Sequence, residues 1–212
     1  LVDEAHHIGS LTYRRATRKI SHSMIAGATA TPWRGDDFDI NELLGPPIVR
    51  IGIDHGLRNG FLTEVDYRLL ADNLDWEFVR QRSTNNYSIS QLNRKLIIPT
   101  RDDKAANMVR DIFKSENRKS GIIFSPTINH AEEFSAKLRQ LGFKADTISH
   151  ENSPKEREKI MSMFKAGKYQ FIATVDLFNE GVDIPDVDML VFMRVTHSRK
   201  IFVQQLGRGL RW

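Results

Sequence analysis

GIIFSPTINHAEEFSAKLRQLGFKADTIS, residues 121–149, decides the architecture. GIIFSP (121–126) is a short apolar run opened by glycine and closed by proline, the pattern of a strand buried on both faces. The period then changes. Ile128, Ala131, Phe134, Leu138 and Leu141 recur at three- and four-residue steps, which places them on one face of a helix. Gly142 stops that helix, since glycine just past a last turn adopts left-handed backbone angles without steric cost. FKADTIS (143–149) reads as the next strand. Two strands joined through a helix imply a right-handed crossover and parallel pairing.

The pattern continues on both sides. Downstream, Ser153, Pro154 and Glu156 supply an N-cap, a first-turn proline and a capping-box acid for a helix that runs to Gly167. YQFIATV (169–175) and VDMLVFM (187–193) are strands, and SRKIFVQQL (198–206) is a helix. Upstream, a helix from about Asp102 turns Ala105, Val109, Ile112 and Phe113 inward, after a polar stretch (81–91) that reads as an exposed loop. LVDEAHH (1–7) is a strand end, residues 11–20 are helical, and MIAGATATP (24–32) is expected to be a second buried strand stopped by Pro32. The class is α/β, with a parallel sheet covered on both faces. A boundary in GLRNGFLTEV (56–65) divides the chain into residues 1–64 and 65–212.

Composition narrows the function classes. An apolar fraction of 40% with 27% charged residues is that of an ordinary globular protein. No apolar run is long enough to cross a bilayer and no signal-peptide pattern is present, so no membrane partner is expected and a cytoplasmic location is the default. The absence of cysteine excludes disulfides, thiolate metal sites and cysteine nucleophiles. The net charge of +4 permits a polyanionic partner, although interspersed charge is mostly solvated surface.

Three places carry candidate chemistry. Asp3 and Glu4 follow an apolar pair at a strand's carboxyl end, where ligands collect in open parallel sheets. Such a pair suits magnesium phosphate chemistry, one acid holding the ion through water and the other orienting an attacking water; it can equally cap a helix. His6 and His7 have no further histidine at zinc-site spacing. FIATVDLFNEGVDIPDVD (171–188) leads from a β-branched strand into a loop with Gly181 and Asp183, where an acid beside a glycine can accept from a ribose hydroxyl or simply form a turn. QQLGRGLRW (204–212) puts Gln204, Arg208 and Arg211 on one helical face, an arrangement that suits a polyphosphate or a solvated basic helix end.

Taken in order, DEAH (3–6), TATP (29–32), IIFSP (122–126), EGVDIP (180–185) and the Gln204, Gly207, Arg208, Arg211 set resemble motifs II to VI of superfamily 2 helicases. EGVDIP and QQLGRGLR look most like the DNA translocases of restriction-enzyme motor subunits and excision-repair helicases. The RNA-helicase branch typically has an arginine before the motif V glycine, where this chain has Glu180.

The resemblance implies RecA-like domains, ATP and magnesium as cofactors, and nucleic acid, DNA rather than RNA, as partner. By it, Asp3 would hold the magnesium ion and Glu4 would activate water. His6, Thr29 and Thr31 would couple nucleotide state to domain movement, and Arg208 and Arg211 would reach the phosphates with Gln204 beside them. Gly181 and Asp183 would meet the nucleotide, and Ser125, Thr127 and Thr174 would touch the nucleic-acid backbone without reading sequence. For Ser125 and Thr127, plain N-capping is the alternative and could hold simultaneously. An RNA helicase and a catalytically inactive helicase-like scaffold remain the other readings.

A phosphate-binding loop needs glycine, four residues, glycine, lysine and then serine or threonine. The nearest match fails, because Tyr169 follows Gly167 and Lys168, and Ser162 stands where the first glycine belongs. The chain is therefore expected to be a fragment that hydrolyses no ATP alone. Residues 1 to about 64 are expected to be poorly ordered, to leave an open sheet edge, or to pair with another chain, including by self-association.

Overall fold

The computed structural model describes residues 1–30, 32, 38–63, 66, 68, 99–175 and 187–194. Expectations for Thr31, Gly181, Asp183, Gln204, Arg208 and Arg211, for the loop at 81–91 and for the helix at 198–206 lie outside the described residues. The chain forms two compact units, Leu1–Leu62 and Thr63–Trp212.

In the first unit, the chain passes from Val2 through a short 3-10 turn, Ala5–His7, into α1 (Leu11–Lys19), and later forms α2 (Asn41–Leu44) and α3 (Ile53–Arg58). Ser10 caps α1 by accepting from the Tyr13 amide at 3.4 Å. The buried strand expected at residues 24–32 is corrected to a single parallel bridge, Val2 with Gly27. Around it, the Val2 amide donates to Ala26 O at 2.7 Å, and the Ala5 amide to Ala28 O at 2.9 Å. Met24 is 79% exposed. An apolar run is buried only when other elements cover it, and among the described residues none flanks this segment to extend the ladder. Gly27 is required where it pairs: a Cβ there would lie 2.7 Å from Ala5 Cβ and 2.5 Å from Leu44 Cδ1.

The second unit follows the sequence closely. α4 (Pro99–Ser115) precedes β1 (Gly121–Phe124), α5 (Ile128–Gln140), β2 (Ala145–Ile148), α6 (Pro154–Lys165), β3 (Phe171–Thr174) and β4 (Met189–Phe192). The four strands are all parallel, in the order β2-β3-β1-β4. Alternate side chains serve opposite faces. Ile123, Ala145, Phe171, Ala173 and Val191 pack with Ala105, Val109 and Phe113 of α4 and with Ala131, Phe134 and Leu138 of α5. Ile122, Phe124, Ile148 and Ile172 pack with Phe164 of α6. Both faces are thus covered, which is why the strands read as unbroken apolar runs. Phe113, Phe143 and Phe171 form a ring cluster with centroids 4.7–5.3 Å apart.

Local signals account for the helix ends. Ser153 and Glu156 form the expected reciprocal capping box on α6. At the end of α5, Gly142 has φ +89°, its amide donates to Arg139 O at 3.0 Å, and the Phe143 amide donates to Leu138 O at 3.0 Å. That is a Schellman closure. The end of α6 is built the same way, with Gly167 N to Phe164 O and Lys168 N to Met163 O both at 2.9 Å. Gly167 and Lys168 therefore terminate a helix, whereas a phosphate loop must begin one.

At the amino edge of the sheet, the Asp188 carboxylate accepts from the Lys119 amide at 2.8 Å and the Ser120 amide at 3.0 Å, joining the entries of β1 and β4. Arg118 donates to Asp188 O at 3.1 Å and pairs with Glu116 at 2.7 Å; Arg68 in turn bridges Glu116 and Asp66.

Candidate functional site

The acidic pair of the first unit is held by its own backbone. Glu4 has φ +47° and ψ +48°, left-handed angles that cost a non-glycine residue about 1–2 kcal/mol. Its amide donates to Asp3 Oδ1 at 2.8 Å. Glu4 occupies the cap position of the 3-10 turn but makes no side-chain cap hydrogen bond, and α1 is capped by Ser10. Helix capping, the plain alternative for this pair, is therefore not what these carboxylates do.

The Glu4 side chain turns toward His6 instead. His6 is 1% exposed, with Nδ1 2.8 Å from Thr29 Oγ1 and 3.4 Å from Glu4 Oε2. The bridge between Val2 and Gly27 brings Thr29 to this position, so residues 3–6 and 29 are assembled across a gap of more than twenty residues. His6 and His7 rings lie 4.2 Å apart, and His7 stacks on Tyr13 at 6.0 Å. Asp3 is exposed and offers one carboxylate, which matches magnesium's habit of keeping water and taking one or two protein carboxylates. Among the described residues no group of three or more acids and histidines gathers as a metal-ligand cluster.

In the second unit, Ser125, Thr127 and Thr174 meet at the carboxyl edge of β1 and β3. The Ser125 amide donates to Thr174 O at 2.8 Å, extending the ladder by one bond. Thr127 caps α5 by accepting from the His130 amide at 3.1 Å. Ser125 and Thr174 are fully enclosed, and their hydroxyl oxygens have no hydrogen-bond partner. Of the three, only Thr127 approaches the surface, so N-capping at Thr127 is realised and the other two hydroxyls are buried and unsatisfied. Unpaired buried hydroxyls are uncommon in folded proteins and call for an explanation.

Two features were missed in the sequence. Arg194, just past β4, donates from Nη1 to Val175 O at 2.8 Å and so spans the end of β1 to hold the exit of β3. Asp102 of α4 and His130 of α5 form a buried pair, Oδ2 to Nε2 3.3 Å, at 2% and 1% exposure. The signal was present: Asp102 begins the inward stripe continued by Ala105, Val109 and Phe113, and His130 that of Phe134 and Leu138. A polar residue on a core stripe implies a partner on the neighbouring element. The proximity of Ser125 in sequence does not make this a nucleophilic triad, since all three groups are enclosed and Ser125 Oγ and His130 Nδ1 have no hydrogen-bond partner.

A family model described as helicase conserved C-terminal domain matches residues 104–212. Over its whole length the chain is 23% identical to 31% of the putative ATP-dependent helicase IRC3 of Saccharomyces cerevisiae, and 23% identical to 55% of the DNA 3'-5' translocase XPB2 of Sulfurisphaera tokodaii. Across 78% of its length it is 26% identical to 28% of the pre-mRNA-splicing ATP-dependent RNA helicase PRP28 of Debaryomyces hansenii. The chain spans about half or less of the length of the curated relatives it matches.

Proposed function

The chain belongs to the helicase conserved C-terminal domain family, and on that premise we propose that it is part of an ATP-dependent motor that moves along DNA, of the restriction or repair type. The observation that carries the motor reading over an inactive scaffold is the line Glu4, His6, Thr29. A carboxylate suited to orienting water and a threonine on another segment meet at the same nitrogen, Nδ1, of a buried imidazole. Such a connection can pass a change at the acid to the segment carrying the threonine; a residue that merely caps a helix cannot.

In this reading residues 1–64 carry the acidic-pair part of a first RecA-like domain and residues 65–212 form the second. Asp3 would hold magnesium on ATP through water, and Glu4 would align the attacking water. Magnesium would neutralise charge on the phosphates. Arg208 and Arg211 would add guanidinium charge to the transferring phosphoryl group with Gln204 beside them, while Gly181 and Asp183 would face the nucleotide from the second domain. Thr31 would act with Thr29 in coupling. The turn at Thr127 would meet a nucleic-acid phosphate with the free amides of α5, and the unsatisfied hydroxyls of Ser125 and Thr174 would gain partners when uncovered. DNA is favoured by Glu180 standing before Gly181 and by similarity, across the whole of this chain, to 55% of a DNA translocase.

The test uses the full-length protein. Its ATPase rate should rise with duplex DNA more than with single-stranded RNA, and the stimulation should fall with salt because backbone contacts release counterions. Preferential stimulation by RNA supports the RNA-helicase reading, and no ATPase activity under any condition supports the scaffold.

A further inference from the structure

The geometry points to Asp102 and His130 as a positioning pair for the phosphate-contacting turn of α5, an inference that rests on the nucleic-acid reading above. Several observations converge on it. The pair lies 3.3 Å apart with side chains 3% and 2% exposed, the acid in the first turn of α4 and the imidazole in the first turn of α5. Asp102 Oδ1 and His130 Nδ1 have no hydrogen-bond partner. Hiding a carboxylate and an imidazole this way contributes little to stability, because desolvation offsets most of their attraction; a well-packed apolar pair would serve the core as well or better. What a directional polar contact adds is orientation.

The orientation it sets is that of one turn. The His130 amide donates to Thr127 Oγ1 at 3.1 Å, and its ring stacks on Phe134 with centroids 5.9 Å apart, 18° from parallel. His130 is therefore held by its backbone to the cap, by its ring to the helix core, and by Nε2 to α4. Two residues before the cap lies Ser125, whose buried hydroxyl has no hydrogen-bond partner. Fixing His130 fixes the angle at which the chain leaves β1, passes Ser125 and Thr127 and presents the free amides of Ile128 and Asn129. The charged groups nearest the pair in sequence are Asp103, which pairs with Lys137 of α5, and Arg101. The Asp103–Lys137 pair lies toward solvent and can tie the helices together, but it does not touch the cap.

The experiment measures binding of the 212-residue chain to a 20-nucleotide single-stranded DNA across a potassium chloride series, with circular dichroism and thermal melting alongside. His130→Gln keeps a donor toward Asp102 and should bind like the wild type. The double variant Asp102→Leu/His130→Leu should melt within a few degrees of the wild type, bind on the order of tenfold more weakly at low salt, and lose about 0.7 from the slope of log K against log salt, the share of one single-strand phosphate. Should the leucine pair fail to fold, Asp102→Met/His130→Phe offers a second apolar pair for the same contrast. A folded apolar pair with wild-type affinity and slope overturns the inference while leaving the nucleic-acid reading intact. Absence of salt-dependent binding by the wild-type chain overturns that reading, and the inference with it.

Discussion

Thr29 Oγ1 lies 2.8 Å from Nδ1 of His6, a residue 23 positions earlier and 1% exposed. Thr29→Val keeps the shape and removes the hydroxyl, so a buried imidazole loses a partner at a net cost of about 0.5–1.5 kcal/mol. Denaturant titration of the first unit should show that loss. In the full-length protein the same change is expected to leave basal ATPase activity within about twofold while reducing its stimulation by DNA several-fold. Stimulation at the wild-type level would remove Thr29 from the coupling role.

The 212 residues contain no phosphate loop, and the closest sequence match, Gly167–Lys168, closes α6. The chain alone is therefore expected to release no phosphate from ATP with magnesium above the no-protein control. Sustained turnover by a pure sample, abolished by Glu4→Gln, would show that another element cradles the phosphates.

Glu156 is held below the ordinary glutamate range, first by the Ser153 backbone amide that donates to it and then by the Ser153 side chain. A carboxyl whose pKa is lower in the folded state stabilises the fold above its unfolded pKa and loses that contribution as pH falls through the folded value. Chemical denaturation between pH 7 and pH 3 should thus show a shallower acid limb for Glu156→Gln than for the wild type. Ser153→Ala should cost about 1 kcal/mol at neutral pH, as loss of an N-cap does. An unchanged acid limb in Glu156→Gln would mean the capping box is not formed in solution.

Gly121 begins β1 beneath the phenylalanine cluster. A Cβ there would sit 2.7 Å from Phe171 Cε1 and 2.8 Å from Cδ1, and that ring is fully buried and packed by Phe113 and Phe143. Gly121→Ala is expected to destabilise the second unit by about 1–3 kcal/mol through overpacking. Gly121→Ala with Phe171→Leu should recover part of the loss; a single variant melting like the wild type would mean the cluster yields more readily than its packing suggests.

The second unit was legible because each of its elements carries its own signal. The stripe Ile128, Ala131, Phe134, Leu138 acts along one helix, and the glycine at 142 and the box at 153–156 each act at one helix end. MIAGATATP forms a single bridge instead of a buried strand for a physical reason: an apolar run reports what a segment could bury, whereas burial depends on which elements lie against it. Among the described residues no element covers Met24, which is 79% exposed. The Asp102–His130 pair depends on two helices meeting, and sequence shows only two polar residues on separate core stripes. The hydrogen bond between His6 and Thr29 likewise needs the bridge at Gly27 before spacing means anything.

Asp188 and Arg194 stand at opposite ends of β4, the first fastened to the amides that open β1 and the second to the carbonyl that follows β3. Six residues of extended chain measure about 20 Å, so the strand serves as a ruler between two fixed marks. Inserting or deleting one residue within it would leave one mark unmet and turn Val191 to the opposite face. The length of β4 therefore dictates where the chain leaves the sheet at Arg194.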